Sequence, residues 1–192
     1  MERTQAKFFK PDVLHVLLRL QRPVSRAELA ASTGLGEGSI RSILDILKNK
    51  GFVESSKKGH WVSPRGKLLL RKVDGILTIS KPSKLEFPKA KERLCFHIRK
   101  PVSSVPSYVL RDIAVKWGAS GALIFHFNGK ELVMPPSKKA DYKEDYSSLQ
   151  VNLAPGDHIA LLWGSQRPNL ISGGLEIAAQ LSPTISGLFE RI

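Results

Sequence analysis

A chain of 192 residues, 42% hydrophobic and 24% charged, has globular composition, enough for one large domain or two small ones and unlike a disordered segment. No apolar run approaches the roughly 20 residues a bilayer crossing needs, Met1-Glu2-Arg3-Thr4 lacks a signal peptide's apolar core, and the lone Cys95 excludes an internal disulfide framework, so a cytoplasmic protein without a membrane partner is expected. Thirty Lys and Arg against seventeen Asp and Glu give +13, and residues 1–75 alone carry 15 basic and 7 acidic side chains, a bias suited to neutralising phosphates or simply to staying dissolved.

Pro11 opens a first helix whose apolar face runs through Val13, Leu14, Val16, Leu17, Leu18 and Leu20 and ends near Pro23. Ser25 has the place of an N-cap, with Glu28 three residues on to complete a capping box. The short helix 26–33 carries only small or medium apolar groups, so another helix can cross it closely. Gly34-Leu35-Gly36 breaks it, and 37–49 returns to helical spacing through Ile40, Ile43, Leu44 and Leu47. Phe52-Val53-Glu54 and His60-Trp61-Val62 read as two strands of a hairpin whose polar tip carries Lys57 and Lys58. Pro64-Arg65-Gly66 then starts a fourth helix reaching about 77.

Helix, capped short helix, glycine turn and amphipathic helix are the helix-turn-helix arrangement, and the hairpin adds a wing. Ser25-Arg26-Ala27-Glu28-Leu29-Ala30, Gly34-Leu35, the Ile40–Leu47 helix, Lys50-Gly51-Phe52-Val53 and Ser63-Pro64-Arg65-Gly66 resemble prokaryotic winged-helix transcriptional regulators over residues 10–75. With Ile40, Leu44 and Leu47 inward, steps of about 100° turn Gly38, Ser42, Asp45 and Asn49 outward, with Arg41 flanking. The candidate DNA contacts are therefore Ser39, Arg41 and Ser42 on the third helix, Lys57 and Lys58 at the wing, and Arg26 at the start of the short helix. Each could equally be part of a solvated polar face. The set is thin, and Asp45 would repel phosphate, which implies modest specificity per monomer.

Residues 79–92, with two prolines and several lysines, have linker composition between a winged-helix domain at 1–78 and a second domain at 93–192. The second half reads β-α-β-β-loop-β-α: a strand at 93–99, a helix at 106–117, a strand at 122–127, an Asn128-Gly129 turn into 131–134, a polar loop at 135–148, a strand at 158–163 and a helix at 170–181. That order predicts a two-layer α+β sandwich with a mostly antiparallel sheet, and an α+β class for the whole chain.

If Leu94/Phe96/Ile98, Leu123/Phe125/Phe127 and Ile159/Leu161/Trp163 share the helix-covered face, then Cys95, His97, His126 and His158 share the other. A thiol and three imidazoles could hold zinc, although half-exposed strands commonly carry such groups without metal, and no metal or cofactor is assigned. That second face also carries Ala122, Ile124, Ala160 and Leu162, so it is expected to pack on a subunit, the winged helix or a ligand. Gly164-Ser165-Gln166-Arg167 lacks a phosphate-loop pattern and reads as a plain turn; no catalytic motif is present.

Together with the elements above, the 113–122 segment and Gly156-Asp157-His158-Ile159-Ala160 resemble an archaeal winged-helix family with an uncharacterised C-terminal α+β domain. The resemblance implies a transcriptional regulator of unknown effector. The expected protein binds double-stranded DNA and uses its C-terminal domain to form a homodimer, to sense a small-molecule effector, or both; Leu68-Leu69-Leu70, Val73, Ile76 and Leu77 could contribute apolar surface to a dimer. The alternatives are an RNA-metabolism factor or enzyme that uses the basic module to hold nucleic acid, and a protein-interaction module.

Overall fold

The computed structural model describes residues 8–82, 85, 87–102, 105–136, 139 and 145–192. The chain is α+β and divides into two units, Met1–Val73 with Leu188–Ile192, and Asp74–Gly187.

The first unit contains α1 (Lys10–Arg19), α2 (Arg26–Thr33), α3 (Glu37–Asn49), β1 (Val53–Ser56), β2 (Gly59–Val62) and most of α4 (Pro64–Asp74). The caps follow the sequence. Asp12 accepts the Phe9 N–H at 2.9 Å before α1, and Ser25 Oγ accepts the Glu28 N–H at 3.1 Å before α2. The Glu28 carboxylate, expected to bond back to the cap, pairs with Arg22. Gly34, at φ 71°, ends α2 in the left-handed conformation that residues with a Cβ rarely adopt. Leu14, Leu17, Leu29, Ile40, Ile43 and Leu47 are fully buried and form the core of the three helices. β1 and β2 pair antiparallel from Val53↔Val62 to Ser56↔Gly59, leaving Lys57-Lys58 as a two-residue tip. His60 also pairs with Val24 through two backbone hydrogen bonds of 2.9 Å, tying the hairpin to the α1–α2 turn.

The start of α4 is pinned to the end of α3. Ser63 Oγ donates to the Gly51 carbonyl at 2.6 Å and accepts the Gly66 N–H at 3.0 Å. A Cβ at Gly66 would collide with the Phe52 carbonyl oxygen. Propensity alone says Gly66→Ala should gain about 1 kcal/mol. Because the obstacle is backbone, the expected net result is instead a loss of about 1–3 kcal/mol. Denaturant-dependent hydrogen exchange of α4 amides measures it; unchanged or greater protection would refute the close approach.

Of the apolar run expected to extend α4, Leu69, Leu70 and Val73 are buried and only Leu68 is strongly exposed, at 59%. The helix stops at Asp74, and Leu77–Ser80, expected to be helix end and linker, form strand β3. The run therefore offers less free surface for a dimer than the sequence suggests.

The second unit continues with β4 (Glu92–Ile98), α5 (Ser107–Lys116), β5 (Gly121–Phe127), β6 (Leu132–Val133), a 3-10 turn (Ser147–Leu149), β7 (His158–Gly164), α6 (Arg167–Leu181) and most of α7 (Pro183–Phe189). The sheet is antiparallel throughout, in the order β3-β4-β7-β5-β6. Linker residues 83, 84 and 86 and loop residues 137–138 and 140–144, both anticipated from composition, lie outside the described residues.

Register corrects the expected sheet faces. Directly opposed residues share a face. Phe96 opposes Ala160, which opposes Ile124; Cys95 opposes Leu161, which opposes Leu123. Thus Leu94, Phe96 and Ile98 lie with Ala122, Ile124, Ala160 and Leu162. A Cβ at Gly174 would fall within the Phe96 ring, and one at Gly173 would touch Leu162, so α6 covers this face. The opposite face presents Cys95, Phe125, Ile159 and Leu161 to a second core closed by Leu85, Tyr146 and Leu149. Ala122, Ile124, Ala160 and Leu162, expected to pack on a subunit, the winged helix or a ligand, are thus covered by α6, and the Cys95 face is covered by this unit's own irregular segments. β5 and β7 are apolar on both faces, and alternation cannot phase such strands.

Candidate nucleic-acid interface

Three elements of the first unit bring basic side chains together. On α3, Arg41, Asp45 and Lys48 stand at i, i+4 and i+7, the spacing that places side chains along one helix face. Arg26 is the first residue of α2, and His60 is the β2 residue held to Val24. Together with Leu44 these five side chains line a cleft of about 340 Å³. Among the described residues, Arg26, Arg41 and Lys48 form no ion pair.

The electrostatic character of the cleft is visible at His60. Burial, and after it the Lys48 and Arg26 charges, hold its pKa below the ordinary histidine value, while Asp45 pulls the other way. The cations outweigh the carboxylate at this point. His60 Nδ1 lies 2.6 Å from Ser55 Oγ, which fixes the ring against β1.

The candidate contacts therefore separate into groups. Arg26 and Arg41 meet in the cleft, joined by Lys48 and His60, which the sequence reading did not single out. Ser39 is half-buried on α3, and Ser42 Oγ donates to the Gly38 carbonyl at 3.2 Å, so its hydroxyl hydrogen is already engaged. Lys57 and Lys58 are exposed at the hairpin tip, two to three residues from His60, or about 7–10 Å along a strand. Lys48 was legible as the next turn of the Arg41–Asp45 stripe. His60 was not, because its place depends on the pairing with Val24.

The cluster expected in the C-terminal half is not assembled. Cys95 and His97 lie on the sheet face opposite His126 and His158. Burial pushes the Cys95 thiol up to about 12, partly offset by a hydrogen bond with Ser80, so it carries no thiolate at neutral pH. His97 Nε2 lies 2.6 Å from Asp157 Oδ2, and the His126 and His158 rings meet edge-on at 5.1 Å. Among the described residues no group of three or more His, Cys, Asp or Glu is placed to hold a metal. None of their helices is long and apolar enough to cross a membrane.

Residues 11–68, within the first unit, match the family described as PH0730-like, N-terminal domain. Residues 90–181, within the second, match Domain of unknown function (DUF4443). No curated protein matches the chain. Among solved structures, the chain is similar to "Hypothetical protein PH0730 from Pyrococcus horikoshii OT3". The two are 23% identical with a TM-score of 0.74, over 95% of this chain and 100% of that one. That likeness establishes the fold, and with the matched N-terminal family it fits a protein of archaeal type.

Proposed function

We propose that the first unit is a winged helix-turn-helix that binds duplex DNA, and that the protein is a cytoplasmic transcriptional regulator. The observation that carries the reading is the cleft where Arg26, Arg41 and Lys48 converge without ion-pair partners among the described residues, beside a hairpin tipped by Lys57-Lys58. In this reading α3 enters the major groove by its N-terminal half, where Arg41 is the side chain able to read guanine. Ser39 contacts the backbone or base edges, Ser42 accepts from a base-edge donor, and Arg26, Lys48 and the tip lysines take phosphates on either side. One arginine reads little sequence, so two half-sites bound by a dimer supply the remaining specificity, and repression by occluding a promoter follows. Dimerisation and effector sensing fall to the second unit.

The discriminating measurement is a salt series for binding to duplex DNA and to structured RNA, with the intact chain. The reading requires duplex preference and a log–log salt slope steep enough for several released counterions. Preference for RNA would transfer the module to RNA metabolism. Weak binding to both, with co-purification of a protein, would make it an interaction module.

A further inference from the structure

A second concavity in the first unit, of about 630 Å³, differs in character from the α3 cleft. Its lining includes Lys50, Arg65, Lys72 and Arg191, no acidic side chain, and the apolar groups of Phe52 and Leu68. All four cations are exposed, and none forms an ion pair among the described residues. Four like charges around one hollow repel one another, and an anion placed among them relieves that repulsion. Leu68, 59% exposed on the same wall, gains only from an apolar partner.

The hollow is also preorganised. Ser63 bonds to both Gly51 and Gly66, fixing the start of α4. The Arg65 guanidinium lies over the Phe52 ring, 5.3 Å from its centroid, so stacking limits its freedom. A bound anion would therefore meet an arginine already partly ordered, which lowers the entropic cost of association. The volume falls within the range of roughly 300–1,000 Å³ usual for small-molecule sites.

We infer that this hollow binds a small amphipathic anion, an apolar chain or ring bearing a phosphate or carboxylate head. The head sits among Lys50, Arg65, Lys72 and Arg191, and the apolar body lies along Leu68. A phosphodiester strand would use the cations but leave Leu68 without a partner, which favours the small amphiphile. The assignment stands apart from the DNA reading, since it uses none of the α3 or hairpin-tip residues.

Isothermal titration of the full chain with octyl phosphate, below its micellar concentration, tests it. Saturable one-to-one binding is expected, with inorganic phosphate and octanol each at least tenfold weaker. Lys72→Gln/Arg191→Gln and Leu68→Ser alter exposed side chains, and each should weaken octyl phosphate at least tenfold while leaving the melting temperature unchanged. The inference is overturned by the absence of saturable binding, by unaltered affinity in these variants, or by inorganic phosphate or octanol binding as well as octyl phosphate. It is equally overturned if Lys72→Gln/Arg191→Gln loses duplex DNA but keeps octyl phosphate, which would give these cations to the nucleic-acid backbone.

Discussion

An Arg41→Ala/Lys57→Ala/Lys58→Ala variant is expected to bind duplex DNA about 100-fold more weakly than the wild type at moderate salt. The magnitude follows from roughly 1 kcal/mol for each of three contacts, at the low end for an arginine facing a base edge. The salt dependence must move with it. Each phosphate contact contributes about 0.9 to the log–log slope, so losing the two tip lysines should make it shallower by about two. All three side chains are exposed, so folding should change by less than about 0.5 kcal/mol each. Asp45→Asn provides a variant of opposite sign. It removes the one carboxylate in the cleft and should tighten binding several-fold, most visibly at low salt. A triple variant with unchanged affinity and slope would remove α3 and the hairpin tip from the interface, however well the unit bound DNA by another surface.

The parts of the fold legible in the sequence are those specified by neighbours along the chain. Ser25 caps α2 and Gly34 ends it by local geometry, and the α3 stripe of Ile40, Ile43, Leu44 and Leu47 is buried as its spacing demands. The hairpin was legible because a polar tip separates two short apolar strands. β3 was not, since Leu77 and Ile79 continue the apolar pattern of α4 past Gly75 and become a strand only by pairing with Ile98 and Phe96. Sheet phase failed for a related reason. Ile124 and Phe125 are both buried on opposite faces of β5, so neither alternation was the polar one. The same boundary runs through the candidate site, where Arg41 and Lys48 follow from helical period but their meeting with Arg26 and His60 is tertiary.

Asp157→Ala is expected to cost the second unit about 3–5 kcal/mol, because it leaves three donors around a buried position without their acceptor. Asp157 is 1% exposed and joins two stretches of chain, the end of β4 at 97–100 and the turn before β7 at 154–157. Its Oδ2 accepts from His97 at 2.6 Å and from the Ala154 N–H at 3.0 Å. Its Oδ1 accepts the Lys100 N–H at 3.1 Å, securing a residue that sits at φ 47°, an uncommon conformation for a side chain of this kind. Alanine leaves all three donors without this acceptor. Urea unfolding followed by Trp117 and Trp163 should show the midpoint lowered by more than about 1 M. The pH dependence has a definite sign. Burial pushes the Asp157 carboxyl up, but hydrogen bonds from Ala154, His97 and Lys100 outweigh it and leave the pKa below the ordinary value. The unfolded carboxyl titrates near its usual value of about 3.9, so as the pH falls the unfolded chain takes up its proton first. The wild type's advantage over Asp157→Ala should therefore be full above that pH and shrink as the pH drops toward the lower folded value. Equal midpoints at neutral pH, or an advantage that appears only in acid, would show that the contacts around Asp157 contribute no net stability.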